Sequence, residues 1–400
     1  MVPKEWKIKT IGDIATVSSG GTPSRKEQSY WNGDIPWVTT AEVKFKTILD
    51  SAEKITKEGL SNSSAKLFPI NTILMAMYGQ GKTRGQVAKL GIEASTNQAC
   101  AAIILSSDYC VDYYYQFLIY QYENIRDMSN SGSQENLSGS IVKSIPVPVP
   151  PYFEQQKIAQ ILSSWDQAIS ATEKLLENSQ QQKKALMQQL LTGKKRLLDE
   201  ARSRFNIPWE KHRLGIFLKE EKQRNKDNSI SRVLSVTNHS GFVLPENQFS
   251  KRIASDEVSN YKIVKKGQYG YNPSRINVGS FARLDQFENG LLSPMYVVFS
   301  IKSENLDSDF FLYWMKSNEA KQRINNSTQG SVRDSVGFDA ISSFVLKLPE
   351  IQEQRKIAKV LSFADQEIET LQKKLDCLKQ EKKALMQQLL TGKKRVKVAA

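Results

Sequence analysis

The segment Lys183-Lys-Ala-Leu-Met-Gln-Gln-Leu-Leu-Thr-Gly-Lys-Lys-Arg196 returns without a change at Lys382–Arg395. Outward from it, residues 154–196 and 353–395 align without a gap at an offset of 199, with about 27 of 43 positions identical. Self-similarity on this scale marks a duplication. It divides the 400 residues into two successive copies of one plan, a globular stretch followed by a helix.

Both copies keep a heptad. Positions alternately four and three apart hold Ile158, Leu162, Trp165, Ile169, Thr172, Leu176, Ser179, Lys183, Leu186 and Leu190 in the first copy. The second has Ile357, Leu361, Ala364, Ile368, Leu371, Leu375, Leu378, Lys382, Leu385 and Leu389, a more apolar stripe on the same seam. A sustained 3.5-residue period predicts helices packed side by side as a coiled coil. Two matching seams in one chain meet at a higher effective concentration than seams on separate molecules, so the expected pair is intramolecular. Helices from tandem units return past each other most simply when antiparallel. Periodicity by itself also allows a homodimer through the same seams.

The edges of the repeat are legible. Pro146, Pro148, Pro150 and Pro151 impose an extended entry, and Gly193 after Thr192 closes the first helix, with Pro349 and Gly392 bounding the second. Ser163 and Ser362, each followed by an aspartate three residues on (Asp166, Asp365), predict a break between a short first helix and a long second one. Some 30–40 helical residues at 1.5 Å each span roughly 45–60 Å, somewhat more than one turn of duplex DNA.

Composition bounds the rest. Four hundred residues suit two domains with connectors, and 40% hydrophobic with 9% aromatic content supplies real cores. A formal net charge of +14 favours polyanions as partners, nucleic acid foremost. Cys100, Cys110 and Cys377 are odd in number and lack CxxC spacing, and with only His212 and His239 beside them neither a disulfide framework nor a zinc site is expected. The start MVPKEWKIKTIGDIA has no basic-then-apolar signal pattern, and no apolar run reaches the roughly 18 residues of a membrane span, so a soluble cytoplasmic chain is expected.

Residues 1–150 and 197–348 resemble each other faintly. Trp6 precedes Gly12 by six residues, as Trp209 precedes Gly215. Strand-like Thr72–Tyr78 leads into the turn Gly79–Gly85, and Gln268–Tyr271 leads into Asn272–Gly279. Polar loops follow at 131–136 and 329–334. Strand-like runs at Ile103–Leu105, Val233–Val236 and Tyr296–Ile301 alternate with helical stretches at Tyr113–Tyr122 and Phe310–Ile324. The expected fold class is mixed α/β (α+β). It comprises two globular domains (1–150, 197–348) joined by two long antiparallel coiled-coil helices (151–196, 349–395) with pseudo-two-fold internal symmetry, then a tail at 396–400. Near-identical helices on divergent domains imply one shared partner for the helices and two different targets for the domains.

Catalytic machinery is sparse. Ala76-Met-Tyr-Gly-Gln-Gly81-Lys82-Thr83 fits a relaxed phosphate-binding loop, but such a loop must open a helix, and Arg84–Gly91 reads as turn and strand. Asn272-Pro273-Ser274-Arg275 lacks the second proline and the aromatic ring of the adenine-methyltransferase motif. Neither HExxH nor GxSxG occurs, and the Glu220-Glu221 pair beside Lys219 and Lys222 reads as a solvated face. No catalytic residue and no metal ligand are assigned.

The loops instead carry side chains that bond phosphates and base edges. In the first stretch these are Thr22, Ser24, Arg25, Lys26, Tyr78, Gln80, Lys82, Thr83, Arg84, Gln86, Asn97, Gln98, Ser133, Gln134 and Asn136. In the second they are Asn238, His239, Tyr271, Asn272, Ser274, Arg275, Asn277, Ser280, Ser331 and Arg333. Arg84 and Arg275 suit guanine; Gln80, Gln86, Asn97, Gln98, Asn272 and Asn277 suit adenine. Helix pairing or partner docking falls to Ile158, Leu162, Ile169, Leu176, Leu186, Leu190, Ile357, Leu361, Ile368, Leu375, Leu385 and Leu389.

The chain resembles the specificity subunits of type I restriction-modification systems. The resemblance rests on the duplicated Glu-Gln-(Gln/Arg)-Lys-Ile-Ala…Leu-Leu-Thr-Gly-Lys-Lys-Arg segment and on Ser19-Gly-Gly-Thr-Pro-Ser24, Ile35-Pro-Trp-Val38, Leu234-Ser-Val-Thr237 and Leu292-Ser-Pro-Met-Tyr296. It implies a non-catalytic subunit whose two target-recognition domains each read half of an asymmetric, split double-stranded DNA site. It also implies that the helices fix the spacer and dock two methyltransferase subunits and, through the complex, restriction-translocase subunits. No cofactor is expected on this chain; S-adenosylmethionine, ATP and magnesium would sit on the partners. The competing readings are a basic coiled-coil scaffold for RNA or proteins and an NTPase acting through Ala76–Thr83.

Overall fold

The computed structural model describes residues 3–79, 81–128, 136–245, 257–328 and 335–396, and the chain forms two compact units, Met1–Lys174 with Lys373–Ala400 and Leu175–Gln372. The long helices are Tyr152–Leu190 and Ile351–Leu389, 39 residues each. Each begins in one unit and ends in the other, so each unit holds one globular stretch, the start of the helix that follows it, and the end of the other helix. Gly193 and Gly392 end the helices at φ of 70° and 72°, the left-handed geometry that suits glycine.

Both helices run unbroken through Ser163 and Ser362, which corrects the expected break. The aspartates behind that expectation do not cap a new helix. In the first unit Asp166 Oδ1 accepts from Lys382 Nζ at 2.6 Å, and in the second Asp365 pairs with Lys183. The seam lysines are thus neutralised from the facing helix. Rising numbers on one helix meet falling numbers on the other: Glu154 with Arg395, Asp166 with Lys382 and Glu173 with Lys379 in the first unit, and Lys183 with Asp365 and Arg196 with Glu353 in the second. Within each unit the helices are therefore antiparallel. Every heptad position named above is buried or half-buried.

In the first unit a five-stranded sheet runs in the order Ala15–Ser19, Cys100–Leu105, Ile73–Ala76, Val87–Leu90, Thr47–Ile48, antiparallel except for its last pair. Side chains alternate along these strands. Ile73, Met75, Ala101 and Ile103 face a core built with Ile158, Leu162, Leu389 and Leu390, whereas Leu74, Ala76, Cys100 and Ala102 face a second core with Val38, Val43 and Phe68. A sheet buried on both faces explains the continuous apolar run Cys100–Leu105. A four-stranded sheet (Glu53–Ile55, Trp31–Val38, Ala94–Thr96, Leu67–Phe68) completes the unit's β-structure, with Lys7–Thr10 paired to Pro146–Val149. The helices Val111–Tyr120 and Tyr122–Asp127 lie against the first core through Tyr113, Tyr114, Phe117 and Ile125.

The second unit follows the same logic on a smaller sheet: Leu218–Glu220, Val297–Ile301, Tyr269–Tyr271 and Phe281–Arg283, all antiparallel. Tyr269, Tyr271 and Phe299 join the core that receives Leu190, Leu191, Ile357 and Leu361, while Val298 and Ala282 face a satellite core around Leu234 and Phe242. Glu210–Arg213 pairs with Val345–Leu348 as Lys7–Thr10 does with Pro146–Val149. The helical stretch expected at Phe310–Ile324 is two helices, Ser308–Met315 and Asn318–Thr328, separated at Lys316-Ser317. Each fully buried Leu, Ile or Phe contributes about 1.5–3 kcal/mol, so helix ends that reach into these cores are integral to the globular parts.

Candidate nucleic-acid interface

In the first unit the turn after Ile73–Ala76 is tied at its far end by Gly85 N–H donating to Ala76 O (2.9 Å) and Gln86 N–H donating to Thr83 O (3.1 Å). Gly79, Gly81 and Gly85 have φ of 134°, 69° and 82°, values that only glycine adopts without strain. Tyr78 and Lys82 are exposed on this turn, and Thr83 and Gln86 are half-buried. The chain then enters the strand Val87–Leu90 instead of a helix, so Lys82 and Thr83 have no helix N-terminus to share with a triphosphate. The NTPase reading loses its geometric basis there.

A second group surrounds Gly20-Gly21. A Cβ on Gly20 would lie 2.0 Å from Thr96 O, and one on Gly21 2.3 Å from Ser64 Oγ, so the Ser19–Ser24 motif is first a close-packing device. It brings Thr22 into a hydrogen bond with Gln98, while Asn97 Oδ1 accepts from Ala99 N–H at 3.2 Å. Ser24 and Lys26 are exposed. Arg25 forms a two-pronged pair with Glu53 while its guanidinium lies 3.7 Å from the Trp31 ring centroid. That pairing raises the Arg25 pKa and lowers that of Glu53. Arg25 is thus engaged within the chain.

In the second unit Asn272 Oδ1 accepts from Ser274 N–H (3.0 Å), Arg275 N–H donates to Asn272 O (3.0 Å), and Gly279 sits at φ 97°. This presents Ser274, Arg275 and Asn277 to solvent. Asn238 and His239 line a neighbouring polar cavity of about 250 Å³ with Arg283, Asp285 and Lys316. Lys316 also lines a cleft of about 550 Å³ with Lys183, Lys184, Lys194 and Lys321, floored by Met187 and Leu191. Partial burial, then the nearby Lys183 charge, lowers the Lys316 pKa.

Several expected contacts lie inside the fold, which corrects their reading as DNA-facing groups. Tyr271 is 0% exposed in the aromatic core, Ser280 donates to Val236 O at 2.8 Å, and Arg84 is buried at 9% exposure. Asn136 is not among them: it is half-buried, as Thr83 and Gln86 are, beside Leu137, whose N–H donates to Met77 O. Gln80, Ser133, Gln134, Ser331 and Arg333 lie outside the described residues.

Sequence reasoning missed the paired clasps. Glu154 accepts from Arg395 Nε (2.7 Å) and Nη2 (2.8 Å) and from the Trp6 indole (3.2 Å). In the second unit Glu353 accepts from Arg196 Nε and Nη2 (2.7 Å each) and from the Trp209 indole (3.0 Å). The signal was partial, because each glutamate lies four residues before Ile158 or Ile357, one position off the heptad stripe, which continues through Gln155 and Gln354; the repeat marks the acid, and only its burial shows that it requires a partner. Among the described residues, no helix is long and apolar enough to cross a membrane and no cluster of three His, Cys, Asp or Glu could hold a metal ion.

Two units of this kind, each with exposed polar turns and each clasped by helix ends of repeated sequence, define a tandem scaffold. The family described as type I restriction modification DNA specificity domain matches residues 3–179 and again 216–380, and the chain belongs to that family. It is 35% identical over 190 residues to the type I restriction enzyme MjaIX specificity subunit of Methanocaldococcus jannaschii, covering 46% of this chain and 42% of that one. It is 33% identical over 169 residues to the EcoR124I/EcoR124II specificity subunit of Escherichia coli, covering 40% and 41%. The chain thus aligns with less than half the length of these two relatives. Against the MjaVIII specificity subunit of M. jannaschii the match covers 99% of this chain and 94% of the other, at 25% identity. The fold is that of the crystallised type I restriction-modification S subunit of M. genitalium, with a TM-score of 0.60 and 16% identity over 97% of this chain and 96% of that one.

Proposed function

We propose that this chain is the non-catalytic DNA-specificity subunit of a type I restriction-modification assembly. The observation that carries the reading is the contrast between two unlike globular parts, each presenting its own glycine-bearing polar turn, and the identical helix ends that clasp them. The globular parts of 1–150 and 197–348 act as target-recognition domains for two different half-sites, and the helices set the gap between them. The turn residues Lys82, Thr83 and Gln86 in the first domain, and Ser274, Arg275 and Asn277 in the second, reach phosphates and base edges, with Asn238 and His239 beside them. The +14 charge supplies the sequence-independent share of the affinity. Outward faces of the repeated helices dock two methyltransferase subunits, which bring S-adenosylmethionine; restriction-translocase subunits would add ATP and magnesium.

Competition binding tests this. The chain assembled with its methyltransferase subunits should hold a labelled specific duplex against a large excess of random RNA and random DNA. Equal displacement by RNA would favour the coiled-coil scaffold reading and sink this one.

A further inference from the structure

The glycine-rich turn of the first unit is not shaped by its own residues alone. Among the described residues its backbone bonds lie at the far end, at Gly85 and Gln86, and the carbonyls of Gly81 and Lys82 are bound from outside by the helix Tyr122–Asp127. Arg126 Nη2 donates to Gly81 O at 2.8 Å, and the Tyr122 hydroxyl donates to Lys82 O. Arg126 Nη1 donates in turn to the Tyr122 hydroxyl at 3.1 Å, and the Phe45 ring meets the Tyr122 ring edge-on at 5.1 Å. Ile125, 1% exposed, anchors this short helix in the core. A Cβ on Gly85 would come within 3.0 Å of Arg126 Cγ, so the turn and the helix are fitted to each other.

Glycine segments lose more freedom on ordering than any others, and a recognition group works only when held within about 0.5 Å of its productive place. We propose that Tyr122 and Arg126 are positioning residues for sequence reading by the first unit. They fix the two carbonyls and thereby the paths along which Lys82 and Thr83 leave the turn. The inference rests on the reading of this turn as DNA-facing. Both terminal nitrogens of Arg126 already have partners, which sets it apart from a simple phosphate contact. The second unit uses a different device, an Asn272 side-chain turn and a bond from Val336 N–H to Pro273 O at 3.1 Å, so disturbing Arg126 touches one unit only.

The test uses the full chain assembled with its methyltransferase subunits and compares Arg126→Gln, Arg126→Lys and Tyr122→Phe with the unaltered protein. Duplexes selected from random-sequence DNA should show about tenfold weaker base preference in one half-site for Arg126→Gln and none lost in the other, the scale of one charge-assisted hydrogen bond. Arg126→Lys, which keeps a donor for Gly81 O, should recover part of it. Amide exchange at Gly85 and Gln86 of the free chain should quicken in Arg126→Gln. Equal loss at both half-sites, or unchanged exchange, would overturn the positioning role. If the unaltered protein selects no split site at all, the DNA-facing reading fails instead, and the exchange result still decides whether Arg126 orders the turn.

Discussion

Replacing Arg196 by Met tests how the second unit is held shut. The Glu353 side chain is 0% exposed and accepts two charge-assisted bonds from Arg196, at 2.7 Å each, and one from Trp209 at 3.0 Å. Without the guanidinium, a fully buried carboxylate keeps one neutral donor. Breaking a buried pair from one side costs about 3–5 kcal/mol, because the remaining charge is left uncompensated. For a unit of this size each kcal/mol lowers the unfolding temperature by about 2–4 °C, so the expected fall is roughly 10 °C. Thermal unfolding of the full chain, followed by calorimetry, reads this directly. Arg196→Met with Glu353→Leu should recover most of the loss, since removing both charges leaves no buried carboxylate uncompensated and only the half-buried Trp209 N–H loses its acceptor. A fall under about 2 °C, or a double variant as unstable as the single one, would refute the account of the clasp. Arg395 in the first unit is 39% exposed, and solvent screening should make Arg395→Met the milder change.

Other expectations follow from the same structure. Burial pushes the Cys100 thiol up to about 12, so iodoacetamide on the folded chain should label exposed Cys377 and spare Cys100 until denaturant is added, as peptide mass spectrometry would show. Early labelling of Cys100 would mean that its core is open. Inserting four helical residues after Glu177, matched after Asp376, adds about 6 Å and should lengthen the gap between half-sites by about one to two base pairs. An unchanged gap would mean that the helices are not the ruler. Arg275→Ala should cost about 1–3 kcal/mol at one base position if the guanidinium reads guanine, and should weaken all duplexes alike and lower the salt slope by about one if it holds phosphate. Quantitative binding across salt and sequence separates the two outcomes.

The helical frame was legible because its information is local and stated twice. A seam from Ile158 to Leu190 repeated from Ile357 to Leu389 fixes period, partner and length, and Gly193 and Gly392 mark the ends. The break expected at Ser163 and Ser362 failed because Asp166 and Asp365 pair with lysines more than 180 residues away, which no local cap rule registers. Sheet order was hidden for a related reason. Strands such as Cys100–Leu105 are buried on both faces, so their hydrophobicity shows no alternation although their side chains serve two different cores. Turns were found through their glycines, but which polar residue faces outward depends on tertiary placement. Arg25 is engaged by Glu53, Arg84 and Tyr271 are buried, and Arg275 is exposed, yet all four read alike as polar residues near glycine or aromatic positions.

Modified-base sequencing of DNA from cells carrying this chain with its methyltransferase subunits tests the central claim most directly. The proposed pair of unlike recognition domains on one repeated frame predicts methylation at a split motif, two different specific segments separated by a gap of fixed length and free sequence. A continuous motif, two identical half-sites, or no sequence preference would contradict it.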